Sequence, residues 1–447
     1  PGDPVYAGTG NLSGGIEIEV TGTGDETVIG HARAIVEEAQ QTRAPILRLT
    51  ERYAGYYFPF ILILCGAVLF FTSDLSRAIS VLIVSLPCAF LLAAPSAMVA
   101  ALASATRIGL LIKGVRFLEV VRNIDTVVFD KTGTLTHSRL RLVAISPAGE
   151  TSREELLTLA ASALSQSSHP VARALIEAAH AEGIETSAVD EVQESPGLGV
   201  SGKLKKGSFL AGRASWLEEA GISCPAPEEP ETGASVHLAL KGQWRGSLQF
   251  EDTIRPEAAG IVESLREVGV KRILMLTGDK EAVARRVSDA LGIDEVHAEC
   301  LPDEKLKIVD DLKAEGQRVL VVGDGINDAP ALSAGHVSLA MGALGSQIAI
   351  QAADMALMSD DLHRIPDLFR LSHRTMGTIE QNLAFGAVFI ALSIILSASG
   401  WIGPIAAALL HEISAFFVLI NSARLLRFEP HNDTSTSIPA ADHASQH

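Results

Sequence analysis

The residues best suited to do chemistry lie between 124 and 136, in the run I-D-T-V-V-F-D-K-T-G-T-L-T. Residues 126–129 are apolar and rich in β-branched types, which predicts a short buried parallel strand. The strand ends on Asp130 and breaks into Lys131, Thr132, Gly133 and Thr134. Ligands of open α/β sheets bind beyond the carboxyl ends of the strands. A carboxylate there can attack a phosphoryl group and carry it as an aspartyl-phosphate. Gly133 permits a tight turn, and the hydroxyls around it offer donors to phosphate oxygens. Three more loops fit the same chemistry. Thr277, Gly278 and Asp279 follow the strand-like I-L-M-L, Lys305 sits at an acidic helix start, and Asp324, Asn327 and Asp328 follow V-L-V-V. Phosphoryl transfer is mostly positioning and charge neutralisation, so it calls for Mg2+, a cation and hydroxyl or backbone donors. Asp130 and Asp324 are hard oxygen ligands suited to octahedral Mg2+.

A second chemistry is written in apolar surroundings. Cys88 follows Pro87 inside V-S-L-P-C-A-F-L-L-A-A-P. Proline in a membrane helix removes a hydrogen bond and exposes carbonyls, a natural place to hold an ion, and a thiolate suits transition metals. A single membrane cysteine is also an ordinary small packing residue. His411 and Glu412 stand in L-L-H-E-I-S-A-F-F-V-L-I. Such a pair is costly in lipid unless it serves an ion or finds partners, although a place at a helix mouth is the alternative.

The elements that must carry these groups follow from composition and pattern. The 447 residues are long enough for several domains, and a mean hydropathy of +0.27 beside 20% charged residues predicts membrane helices joined to aqueous domains. A net charge of −17 argues against a nucleic-acid partner. The four cysteines are scattered with no C-x-x-C pair, which fits a reducing cytosol and membrane rather than a disulfide framework. Apolar segments at 56–71 and 79–105, then 383–397 and 401–419, make two pairs of spans. Basic residues flank each pair on the side of the aqueous insertions, so the four spans place the soluble domains in the cytoplasm. Residues 1–50 predict hairpins and then a helix over 26–41. Residues 428–447 predict a polar, disordered tail.

D-K-T-G-T-L-T resembles the phosphorylation signature of P-type ATPases, and the resemblance runs from Pro1 to about Arg427. It implies a multidomain membrane protein. An α/β haloacid-dehalogenase-like phosphorylation domain would occupy 122–137 and 252–365, with an inserted α+β nucleotide-binding domain at 138–251. Transmembrane pairs would fill 51–121 and 366–428, with part of an actuator domain at 1–50 and the tail at 429–447. It further implies that Thr132 lends its backbone carbonyl to Mg2+, that Lys305 and Thr277 hold the transferring oxygens, and that Asn327 and Asp328 order their loop. Asp279 would face the nucleotide. His169 and Pro170 resemble the His-Pro motif that contacts adenine, and Gly197 and Gly199 the glycine loop beside it. The glutamate usual five residues before the histidine is replaced by Leu164, with Gln166 nearby as a partial substitute.

The membrane motifs narrow the branch to class IB heavy-metal pumps, near the cobalt/zinc/cadmium-type subgroup. Cys88 matches the second cysteine of their C-P-C or S-P-C motif, while Leu86 stands where another ligand is usual. His411 and Glu412 match an H-E-G-G-T type motif, whereas Ile413 and Ala415 depart from it. The resemblance implies ATP-driven export of Co2+, Zn2+, Cd2+ or Ni2+ from a bacterial plasma membrane. It also implies that the chain begins after the family's T-G-E loop would have ended, which predicts nucleotide binding with poor pumping. Three readings compete: a Cu-type pump, a remnant that binds ATP or metal without turnover, and a soluble-type phosphohydrolase. The last usually carries a second aspartate two residues after the nucleophile, where this chain has Thr132.

Overall fold

The computed structural model describes residues 17–20, 23, 45–167, 169–195, 197–225, 233–324, 329–342, 350–351 and 353–430, the side chains of 45–56 and 138 excepted. Most of the expected actuator segment, and the tail beyond 430, lie outside these residues. In chain order the strands are β1 Leu110–Ile112, β2 Thr126–Asp130, β3 Thr136–Pro147, β4 Asp190–Ser195, β5 Gly199–Leu204, β6 Gly207–Gly212 and β7 Ala234–Leu240. They continue with β8 Gln243–Ile254, β9 Arg272–Leu276, β10 Glu295–His297, β11 Val319–Gly323, β12 Val337–Ala340 and β13 Met355–Leu357. The chain divides into two compact units: 1–128, 260–272 and 302–447 form one, 129–259 and 273–301 the other.

In the first unit the strand order is β1, β13, β12, β11 and then the start of β2. β11, β12 and β13 run parallel, and β1 closes the edge antiparallel to β13. β11 and β12 are buried throughout, which is why they read as unbroken apolar runs rather than alternating ones.

The same unit holds the membrane-type helices. Among the described residues, three helical segments are long and apolar enough to cross a bilayer: Leu75–Arg107, Arg364–Ala398 and Pro404–Arg427. The segment expected as the first span lies in one helix, Pro45–Thr72, whose described apolar part is Tyr57–Thr72. The second segment is not continuous. A helix over Leu75–Val84 stops, and another begins at Cys88. Pro87 has no N–H to give, Ser85 Oγ caps the Val81 carbonyl at 2.6 Å, and Cys88 N–H turns back to Leu86 O at 3.0 Å. The last turn is set by Gly400 at φ 83°, with Trp401 N–H reaching Leu396 O at 3.0 Å. That left-handed cap ends one helix before Pro404 starts the next, so Trp401 lies in the turn rather than in the span.

In the second unit the end of β2, β9 and β10 lie side by side, β9 and β10 parallel. A separate antiparallel sheet follows the order β3-β8-β7-β6-β5-β4 and occupies 136–254. Alternate residues of β7, Val236, Leu238 and Leu240, join Phe209 and Phe250 beneath the Arg153–Ala163 and Pro170–Ala181 helices, which contribute Leu156, Leu157 and Leu175.

Candidate active site

β2 is buried along its whole length, and Asp130 at its end is 7% exposed. The chain then turns through Thr132 (φ −78°, ψ 126°) and Gly133 (φ 76°, ψ −12°), the dihedrals of a type II turn. The positive φ at its third position is the reason for glycine there. Thr136, the first residue of β3, closes the loop. Its N–H donates to Lys131 O, and its hydroxyl accepts from Gly133 N–H at 3.3 Å. The same hydroxyl lies 3.1 Å from Lys131 O and within hydrogen-bond distance of the Asp252 carboxylate.

A residue that the motif reading passed over holds this loop from outside. Arg255 is 4% exposed. Its Nε donates to Thr136 O and its Nη2 to Gly133 O, both at 3.2 Å, and its backbone N–H reaches Leu135 O at 3.0 Å. The planar guanidinium suits two carbonyls presented side by side. The available signal was an arginine inside E-D-T-I-R-P, at the end of a run otherwise bound for the interior.

Lys131 is 4% exposed, and its Nζ pairs with Asp279 Oδ2 at 2.6 Å, which keeps a buried ammonium compensated. Asp279 follows β9, and its N–H donates to the hydroxyl of buried Thr277 at 3.1 Å. The second unit therefore brings Lys131 and Asp279 into contact, with Asp130 and Thr277 at the ends of neighbouring strands and Gly278 exposed between Thr277 and Asp279. Of the remaining expected groups, half-buried Lys305 lies near the start of the Pro302–Ala314 helix and half-buried Asp324 follows β11, both in the first unit. Asn327 and Asp328 lie outside the described residues.

The nucleotide candidates belong to the six-stranded sheet and its helices. His169 caps the Pro170–Ala181 helix, its Nδ1 accepting from Val171 N–H at 3.3 Å, which leaves an exposed ring with Nε2 directed away from the cap. Ser167 accepts from His169 N–H at 3.2 Å and donates to Glu194 at 2.9 Å. Leu164 is buried in the core beneath the sheet, and the Gln166 amide donates to Val189 O at 3.3 Å. The two glycines have different local causes. Gly197 has φ 75° and open space around it. Gly199 is packed, since a Cβ would come within 2.4 Å of Ala211 O and 2.6 Å of the Trp216 ring.

In the membrane-type helices Cys88 starts the Cys88–Arg107 helix, within electrostatic range of Glu412. His411 is half-buried on the stripe of the Pro404–Ala423 helix that carries buried Ala407, Ser414, Val418 and Ser422, whereas Glu412 is exposed. Adjacent helical residues point about 100° apart, which is why the two differ in burial. Among the described residues no three of His, Cys, Asp and Glu gather as a metal cluster, so Cys88, His411 and Glu412 are not assembled as one.

Comparison with known proteins covers both units. Residues 124–336 match the haloacid dehalogenase-like hydrolase family. A zinc-exporting P-type ATPase of Mycobacterium marinum is 39% identical over 415 residues, 91% of this chain and 56% of that protein. A manganese-exporting P-type ATPase of Mycobacterium bovis is 38% identical over 437 residues, 96% of this chain and 61% of that protein. The crystal structure of a zinc-transporting PIB-type ATPase in the E2.Pi state superposes with a TM-score of 0.74 at 30% identity, covering 92% of this chain and 69% of that one. The chain thus spans under two thirds of the length of the first two relatives.

Proposed function

The chain belongs to the PIB-type P-type ATPases, and on that premise we propose that it is the catalytic and membrane part of a pump that exports a divalent transition-metal ion across the bacterial plasma membrane at the expense of ATP. The observation that carries this reading is Asp130, held at the buried end of β2 above a type II turn, with the Lys131–Asp279 pair beside it.

In this reading a carboxylate oxygen of Asp130 attacks the γ-phosphorus of ATP, ADP departs, and the chain carries the phosphoryl group as an acyl phosphate. Lys131 and Thr277 supply charge and donors to the transferring oxygens. His169 and the Gly197 turn receive the nucleotide. Asp130 and the Thr132 carbonyl in the second unit are hard-oxygen donors of the kind that suits Mg2+ and would hold it, and Asp324 in the first unit is a donor of the same kind. When bound, Mg2+ neutralises charge on the phosphates. Thr132 stands where a soluble phosphohydrolase carries its general acid, which favours a long-lived phosphoenzyme over rapid hydrolysis.

Relatives that export zinc and manganese support a divalent cargo, and a thiol with imidazole and carboxylate suits borderline divalent ions better than Cu+. The outward faces of the membrane-type helices carry Phe70, Phe71, Ile405 and Ile420, all strongly exposed, which suits a lipid environment. The test is acid-stable 32P labelling from ATP across Zn2+, Mn2+, Co2+, Cd2+, Ni2+ and Cu+, with Asp130→Asn as control. Labelling that depends on Asp130 and on one divalent ion is expected. Labelling that survives the substitution would refute the assignment of the nucleophile.

A further inference from the structure

Among the membrane-type helices runs a line of hydrogen bonds that neither phosphoryl transfer nor metal ligation uses. On the Cys88–Arg107 helix, Ser96 donates its hydroxyl proton to Leu92 O at 2.6 Å. A hydroxyl has one proton, so in the 2.8 Å contact between Ser96 Oγ and Ser422 Oγ the donor is Ser422. Ser422, on the Pro404–Ala423 helix, accepts from Asn382 Nδ2 at 3.0 Å. Asn382, on the Arg364–Ala398 helix, accepts on Oδ1 from Asn421 Nδ2 at 2.9 Å. Asn421 Oδ1 in turn accepts from Arg424 Nη1 at 3.0 Å. The polarity of the chain is determined from end to end, and it joins three helices where Asn382 and Ser422 are buried.

Two features say what such a line does. Its buried members are uncharged and satisfy one another, so it offers little to a cation and much to helix association in an apolar medium. Its position is the second. Ser422 lies eleven residues after His411, about three helical turns, with a residual rotation of only about 20°. Both residues therefore lie on one face, the buried stripe of Ala407, Ser414 and Val418. Fixing the rotation of that helix at Ser422 fixes which way His411 faces. Cys88 is eight residues before Ser96 on the helix at the other end of the tie.

We propose that Ser96, Asn382 and Ser422 are positioning residues, a tie that sets the rotation and register of the Pro404–Ala423 helix so that His411 faces the interior toward the helix of Cys88. The consequence for metal affinity rests on the transport reading above; the geometric claim does not.

The test uses the full-length protein in membranes. His411→Cys is labelled with N-ethylmaleimide and quantified peptide by peptide, with and without Ser422→Ala. Loss of the tie is expected to raise the labelling rate about three- to twenty-fold, the range that interhelical hydrogen bonds of this kind span. Ile413→Cys, already on the exposed face, serves as the reference that does not rise. An unchanged rate at position 411 overturns the proposal. With His411 present, Ser422→Ala should raise the half-saturating Zn2+ for phosphorylation by a similar factor while ATP affinity holds. In a His411→Ala background it should add nothing, and an equal further loss there also overturns the proposal. A parent protein indifferent to Zn2+ and to the other divalent ions would sink the transport reading, while the labelling still decides the tie. If Ser422→Ala loses ATP binding and so has not folded, Ser96→Ala removes one bond of the same line and is read in its place.

Discussion

Replacing Arg255 with Met should slow phosphoenzyme formation far more than it weakens nucleotide binding. The guanidinium donates to Gly133 O and to Thr136 O in the loop that follows Asp130, and lies 4.0 Å from the Glu257 carboxylate. Bonds from a charged donor contribute about 1.5–3 kcal/mol each, so the joint loss of these two is about 3–6 kcal/mol. Water can reach the loop at exposed Thr132 and recover part of this, which leaves about 2–4 kcal/mol. If the loop can only hold its turn by spending that energy in the transition state, the rate of acid-stable labelling falls about 30- to 1,000-fold. Nucleotide affinity, measured by binding to the Asp130→Asn and Asp130→Asn/Arg255→Met proteins, should change little. His169 and the Gly197 turn keep their own local bonds. Arg255→Lys should recover only part of the rate, because an ammonium cannot span both carbonyls as the fork does. Parental labelling rates in a folded Arg255→Met protein would refute the clamp.

Three further outcomes follow from particular positions. Gly199→Ala should lower the thermal midpoint sharply and take ATP binding with it, because the added methyl meets backbone at 2.4 Å. Gly197→Ala should cost only about 1 kcal/mol, a left-handed φ with open space around it, and equal losses at the two sites would contradict this distinction. Burial first, then the Lys313 and Arg318 charges, push the pKa of His336 down, against a smaller opposing pull from Asp125. Its Nδ1 accepts from Val319 N–H at 3.2 Å. The unfolded chain then binds the proton more readily than the folded one, so the stability owed to neutral His336 is full above about pH 6.5 and is lost as pH falls toward the lowered folded value. His336→Asn, which keeps an acceptor, should flatten that part of the melting-temperature profile between pH 7.5 and 5.5; an identical profile would exclude His336 as its source.

The parts of this protein that sequence alone determined are those encoded locally. The run from Thr126 to Gly133 carries its own strand, its own terminal carboxylate and a glycine suited to φ 76°, so the strand-end carboxylate and the turn are legible without a partner. The apolar β11 and β12 are readable for the same reason, since burial on both faces leaves an unbroken apolar run. The break at Pro87 lies in a proline that removes its own hydrogen bond, although only the structure separates one interrupted span into two helices.

What tertiary structure decided are the relations between distant residues and the direction in which a side chain points. Arg255 meets Gly133 across the whole length of the inserted sheet, and nothing local to either residue announces the other. Gly199 looks like its neighbour Gly197 in sequence, yet Trp216 and the β6 backbone, brought beside it by strand pairing, make it a packing glycine. His411 and Glu412 are adjacent in the chain but diverge in space, because a helix turns about 100° per residue and only packing decides which of the two faces inward. Sequence names the groups that could react; the distances and rotations that let them act together are set by contacts among residues far apart in the chain.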